Sequence, residues 1–169
     1  MPLAELLLPE FDAEMAATRR VLERVPDGKG SWKPHPKSMT LGRLATLVAE
    51  LPGWVVNALT LDELDIMPPG GPPPKFEALE SRAKILARFG KNATAARTAL
   101  AKASDAEFKK PWAFKVGGRT VSTDPKYTVY RRTVLNHLAH HRGQLTVYLR
   151  LNGASVPAVY GPTADEPNF

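Results

Sequence analysis

Hydrophobic positions recur every three or four residues in four segments of the chain, 3–25, 41–61, 75–103 and 128–151. This spacing places apolar side chains along one face of a helix, so it predicts four amphipathic helices of about 20 to 28 residues. Helices of this length, joined by connections long enough for crossovers, favour a four-helix bundle over a fold built on a sheet.

Capping and breaking residues indicate where these helices begin and end. Ser38 or Thr40 can cap the second helix, because a side-chain oxygen there can accept a bond from a free backbone N–H. Pro52 should kink that helix, since it lacks an N–H and its ring crowds the preceding turn. Gly153 should end the last helix, because glycine adopts the left-handed C-terminal cap without strain.

The connections carry two further signals. The proline- and glycine-rich run 67–74 cannot form helix or a strand ladder, so we expect a long crossover loop within one domain, 1–169. Segment 112–123 alternates around a Gly-Gly pair, which predicts a small β-hairpin before the last helix. Prolines beyond the last helix should keep the C-terminal tail extended.

Composition narrows the classes of function. With 43% hydrophobic and 24% charged residues, the chain resembles an ordinary globular domain, and no apolar run approaches the roughly 20 residues that cross a bilayer. The first residues lack a basic segment typical of a secretory signal, so we expect a cytoplasmic protein. The absence of cysteine leaves histidine and carboxylate groups as metal ligands.

The net charge of +6 would permit attraction to nucleic acid. However, the basic residues of the third helix are scattered along what should be a solvated face, without an arginine-rich arm or interleaved aromatic residues. We therefore do not expect a nucleic-acid partner.

The last helix carries the chain's most distinctive side chains. His137 and His141 are four residues apart, so they lie about 40° apart on one face and one turn apart along the axis. They can converge on one metal ion, whereas His140 points elsewhere. The alternative is that both are partly buried histidines that bond to their neighbours. A catalytic metal usually has three protein ligands, so a third would have to come from another helix.

Three motifs in this order and spacing, residues 39–45, 136–145 and 156–162, resemble those of the DinB-like proteins. The resemblance covers most of the chain. It implies an all-α, up-up-down-down four-helix bundle, often a homodimer, with a divalent cation held by three histidines. Members with assigned activities are mainly thiol-dependent transferases and isomerases, including bacillithiol transferases and relatives of mycothiol-dependent maleylpyruvate isomerase.

Carried over by position, the resemblance makes His137 and His141 the two metal ligands of the last helix. It places the third family histidine at Leu47, which has no lone pair to donate. Zinc or nickel would therefore be held poorly unless another group substitutes, since each missing strong ligand costs several kcal/mol of the roughly 10 or more typical of structural zinc. The candidate substitutes are His35, Glu50, Asp12 and Glu14.

Two functions follow. One is a non-catalytic bundle, or one that binds a small molecule in its pocket, with a degenerate metal site. The other is a divalent-metal-dependent thiol transferase or hydrolase that uses the histidine pair and a substitute ligand. For the remaining distinctive residues we expect core packing by Trp54 and Trp112, an interface or surface ion pair at Arg142, a close helix approach at Gly143, and packing with a satisfied hydroxyl at Tyr148.

Overall fold

The computed structural model describes residues 1–168, most of which are helical, as predicted. Phe169, the last residue of the predicted domain, lies outside the described residues. A 3₁₀ turn (Leu51–Gly53) joins α2 to α3, and a π-helical stretch (Tyr130–Asn136) joins α6 to α7. The helices are α1 (Leu3–Leu22), α2 (Leu41–Glu50), α3 (Trp54–Thr60), α4 (Arg82–Lys102), α5 (Asp105–Lys109), α6 (Lys126–Val129) and α7 (His137–Leu151).

The local signals at the second and last helices are confirmed. The Thr40 hydroxyl caps α2 by accepting from the N–H of Arg43, and the 3₁₀ turn lies at Pro52. The last helix ends before Gly153, which has a φ of 71°. Glycine tolerates this left-handed conformation because it has no Cβ.

The third helix begins later than predicted. It starts at Arg82, where the Ser81 hydroxyl accepts from the N–H of Lys84, and segment 75–81 is not helical. The Leu79 N–H donates to the Thr46 hydroxyl on α2 at 2.8 Å, so it is not available for a bond within a helix. Two apolar residues at helical spacing there, Phe76 and Leu79, have different environments: Phe76 is exposed, whereas Leu79 is buried.

A three-stranded sheet lies beside the helices, with β1 (Glu63–Asp65), β2 (Pro111–Val116) and β3 (Arg119–Pro125) in this order. The predicted hairpin is confirmed, since β2 and β3 pair antiparallel around Gly117 and Gly118. Strand β1, which pairs parallel to β2, was not predicted because three residues are too short to show an alternating pattern.

Contacts between the helices give their directions. Thr46 accepts from the N–H of Leu79, and Glu50 bonds to Arg88, so residue numbers rise together and α2 runs parallel to α4. Asp12 bonds to Arg97, whereas Glu23 accepts from Arg82, so α1 runs antiparallel to α4. The Trp54 ring packs against that of His137, and the Met39 carbonyl accepts from the Tyr148 hydroxyl, so the second segment also runs antiparallel to α7.

The helical order is therefore up-down-down-up, and the expected up-up-down-down order is wrong. An up-up-down-down bundle requires two connections that return along its length. Within residues 1–168 one connection returns in this way, segment 61–81, which joins the two parallel helical segments.

The hydrophobic core fills the space between the four helical segments. Within residues 1–168, no helix is both long enough and apolar enough to cross a membrane. Fully buried members of the core, each less than 2% exposed, include Phe11, Val21, Leu22, Leu41, Leu44, Val48, Leu51, Val55, Ile85, Leu100, Phe108, Val134, Leu138, Leu145 and Leu149.

Candidate functional site

The structure brings His137 and His141 together on α7. Their Nε2 atoms lie 2.9 Å apart, and each Nδ1 faces an oxygen on the other side of its ring. The His137 Nδ1 lies 3.3 Å from the carbonyl of Thr133, and the His141 Nδ1 lies 2.7 Å from Oε1 of Gln144. His140 is exposed, and its ring lies 4.9 Å from that of His141.

These partners constrain the positions of the ring protons. If both Nδ1 atoms donate, the two Nε2 lone pairs face each other, and a proton or metal cation between them would relieve the repulsion. If the Gln144 amide donates to His141 instead, the Nε2–H of His141 donates to His137. In the first arrangement both Nε2 lone pairs face one point and could bind one ion, whereas in the second the Nε2–H of His141 joins the pair through a hydrogen bond.

Burial lowers the pKa of both histidines below the ordinary 6.5. For His137, the neighbouring His141 adds to this effect, because a second positive charge nearby disfavours protonation. For His141, nearby Arg43 also lowers the pKa, while the bond to Gln144 opposes the shift. Both rings are therefore mainly neutral at pH 7 and able to offer lone pairs.

Leu47 lies on the part of the second helical segment that packs against α7. Leu47 lies one turn after Arg43 on α2, and the 3₁₀ turn separates it from Trp54 at the start of α3. The Trp54 ring lies 5.7 Å from that of His137, and the Met39 carbonyl accepts from the Tyr148 hydroxyl, so Leu47 lies along the chain between these two contacts with α7. It is only 9% exposed and presents methyl groups where the family resemblance places a ligand.

The four candidate substitute ligands have other partners. His35 is exposed in its loop and accepts from the N–H of Lys37. The acidic candidates bind arginines: Glu50 binds Arg88 and Arg43, Asp12 binds Arg97, and Glu14 binds Arg142. Across the described residues 1–168, no cluster of three or more histidine and acidic side chains could hold a metal. The residues therefore do not fit a three-ligand metal centre.

Arg142 is buried, which contradicts the expectation of a surface or interface ion pair. Its side chain is 2% exposed and lies 2.8 Å from the Glu14 carboxylate, with a second bond to the Thr18 hydroxyl at 3.0 Å. The Tyr160 hydroxyl bonds to both Arg142 and Glu14. The burial of Arg142 could have been predicted from the sequence. One helical stripe is apolar except for Arg142, and it contains residues 134, 138, 142, 145 and 149.

The packing roles expected of the other distinctive residues are confirmed for the tryptophans and Tyr148 but not for Gly143. Trp112 is buried and Trp54 is half-buried, in line with the expected packing role. The Tyr148 hydroxyl donates to the carbonyl of Met39, as expected for a packed tyrosine with a satisfied hydroxyl. The close helix approach expected at Gly143 is wrong within residues 1–168, since no atom of another helix there would lie within 4 Å of an added Cβ.

A groove of about 560 Å³ lies next to this part of the second helical segment. Met39, Thr40 and Arg43 form one side, and Phe76 and Ala78 of the non-helical segment before α4 form the other. The Arg43 guanidinium lies 5.2 Å from the centre of the Phe76 ring. The groove is therefore lined by apolar groups around one cation.

The family model of the DinB family matches residues 2–168. The chain belongs to the DinB family. The assignment from the three sequence motifs is therefore confirmed.

Two solved structures support the DinB fold. A DinB-like protein from Bacillus cereus ATCC 10987 has a TM-score of 0.69 and 25% identity, covering 90% of this chain and 95% of its own. The DinB-like protein YjoA from Bacillus subtilis has a TM-score of 0.68, covering 91% of this chain and 96% of its own, but at 14% identity it supports the fold alone. Uncharacterized protein YrdA of Bacillus subtilis (strain 168) is 48% identical over 33 residues, and this match spans only 20% of either chain.

Proposed function

We propose that this DinB-family protein is a non-catalytic bundle that binds a small ligand and has a degenerate metal site. The observation that carries the proposal is the buried Leu47, which lies on the second helical segment between its contacts with His137 and Tyr148 of α7, at the position where the resemblance places the third ligand. The carboxylates that could compensate are bound to arginines.

The energetic argument concerns the number and charge of the ligands. A complete ligand set holds structural zinc with about 10 to 16 kcal/mol at pH 7. The pair formed by His137 and His141 offers two neutral nitrogens and no negative charge, and a leucine cannot supply the third ligand. We therefore expect weak binding of zinc or nickel.

Metal content tests the proposal directly. Untagged native protein and its Leu47→His variant are exposed to zinc or nickel, desalted, and measured by elemental mass spectrometry. We expect well under one ion per native chain and close to one ion per variant chain, because the substitution returns the third nitrogen to its position.

A Leu47→His/His137→Ala double variant is the control, and it should lose the metal that the single variant gains. Stoichiometric metal in the native protein would contradict the proposal. If neither protein binds metal, residue 47 is not the position of the missing ligand.

The alternative function is a divalent-metal-dependent thiol transferase or hydrolase with a substitute third ligand. The convergence of the two Nε2 atoms at 2.9 Å favours it, because that arrangement suits two ligands of one ion. Under this alternative, native protein would retain zinc or nickel, His137→Ala would remove it, and thiol-transfer activity would fall in parallel.

We also propose that the protein forms a homodimer in the cytoplasm. Val147 and Leu151 lie one turn apart on α7 and are 56% and 58% exposed, so together they form an apolar strip on the surface. Light scattering tests the dimer: native protein should have twice the mass of one chain, and Val147→Asp should shift it towards the monomer. A native monomer at high concentration would contradict this part of the proposal.

A further inference from the structure

The groove beside Arg43 has an unusual construction. Phe76 extends from a non-helical segment, and its ring lies over the Arg43 guanidinium even though the residue is 69% exposed. Large exposed aromatic groups beside a concave surface are typical of binding sites. The volume of about 560 Å³ is suitable for a molecule of one or two rings.

The charge in this groove is only weakly compensated. The Arg43 side chain is 16% exposed, and its carboxylate partner, Glu50, lies 3.5 Å away. Glu50 makes its shorter contact, 2.8 Å, with Arg88, and the Glu77 carboxylate also bonds to Arg88, at 2.9 Å. The other contact of the Arg43 guanidinium is the Glu77 carbonyl at 3.4 Å. Arg88 therefore makes the shorter contact with Glu50, and the ion pair of Arg43 with the same carboxylate is the longer one.

A shielded guanidinium with long contacts can exchange them for a short, charge-assisted bond to an anion. The apolar groups around it, Met39, Phe76 and Ala78, would cover a flat hydrophobic body attached to that anion. The net charge of +6 favours the approach of such a ligand.

We infer that this groove binds a small aromatic anion, with its carboxylate or sulfonate on Arg43 and its ring against Phe76 and Met39. The inference rests on the proposed small-ligand function and names the class of ligand.

Two fluorescent probes that differ by one charged group test the ligand class. 8-Anilinonaphthalene-1-sulfonate is the aromatic anion, and N-phenyl-1-naphthylamine is its uncharged counterpart. Titrations of metal-free protein should show tighter binding of the anion. Amide chemical shifts recorded with the anionic probe should change mainly at residues 39–43 and 76–78.

Matched variants test the contacts of the ligand with Arg43 and with Phe76. Arg43→Gln should weaken binding of the anionic probe by about tenfold or more and leave the uncharged probe nearly unchanged, because only the charge-assisted bond is lost. Arg43→Lys should retain part of the preference for the anion. Phe76→Ala changes a residue on the exposed segment and should weaken the binding of both probes. Arg119→Gln, an exposed arginine on the hairpin, is the control and should change neither.

Binding that is unchanged in Arg43→Gln would overturn the inference, as would shift changes that map to another surface. Those results would leave the proposed metal-poor bundle intact, because its test is metal content in the native and Leu47→His proteins. Stoichiometric metal in the native protein would instead overturn the proposed function, and the results of the probe titrations would be unaffected.

Discussion

Removal of the Glu14 carboxylate should destabilise the protein strongly. Glu14 lies 2.8 Å from Arg142, whose side chain is 2% exposed, and both bond to the Tyr160 hydroxyl. In a Glu14→Ala variant the arginine charge stays buried without its counter-ion. The Thr18 hydroxyl and the Glu14 backbone carbonyl still accept from it, but neither carries charge.

The expected loss is about 3 kcal/mol in the free energy of unfolding, the lower end of the range for a broken buried pair, because Glu14 is 17% exposed. A chain of this length loses about 2 to 4 °C in Tm per kcal/mol, so Tm should fall by about 6 to 12 °C. Urea unfolding followed by circular dichroism measures the free energy, and a thermal scan measures Tm.

Asp12→Ala is the matched control, since Asp12 also lies on α1 and also binds an arginine of another helix, but this pair is exposed. Exposed pairs contribute little, so its change should be too small to resolve. The Glu14→Ala/Arg142→Met variant should recover much of the loss, because no uncompensated charge remains buried. Equal losses for Glu14→Ala and Asp12→Ala would refute the reasoning.

Three further predictions concern local contacts. Thr40→Ala should cost about 1 kcal/mol in urea unfolding, because the cap of α2 is lost, whereas Thr40→Ser should retain it. Gly153→Ala should cost about 1 to 2 kcal/mol at its φ of 71°, and Gly153→Asn should cost less, since asparagine tolerates that region. Lys110 and then Lys126 hold the pKa of Glu107 below its ordinary 4.5. The unfolded state therefore binds more protons near that pH, so this stabilisation is present above about pH 4.5 and is lost as the pH falls through the lowered folded pKa. Glu107→Gln should flatten that part of a stability-against-pH curve, and an unchanged slope would contradict the assignment.

The features that the sequence predicted correctly depend on local interactions. The Thr40 cap, the break at Pro52 and the end at Gly153 each follow from backbone chemistry within a few residues. The approach of His137 to His141 likewise follows from their spacing on one helix.

The features that were missed depend on contacts between distant segments. Segment 75–81 has helical spacing, but the Leu79 N–H bonds to Thr46 on α2, a tertiary contact that no local pattern reveals. The helical order was wrong for the same reason, since packing partners decide the direction of each helix. Arg142 was predicted in an interface or surface ion pair because charged side chains are usually exposed. Its position in a buried stripe was given less weight, and its partners lie far away in the chain.

The bonds that join Glu14 to Arg142 and Tyr160 also affect the order in which parts of the protein can fold during synthesis. Arg142 follows Glu14 by 128 positions, which at 5 to 20 residues per second is a delay of roughly 6 to 26 s during synthesis. Throughout that interval α1 has an unpaired carboxylate on the side that will later face α7. Helix α1 therefore leaves the ribosome well before α7 but reaches its final environment only after Arg142 and Tyr160 have been made, and a chain that stops before Tyr160 lacks one of the partners of Glu14.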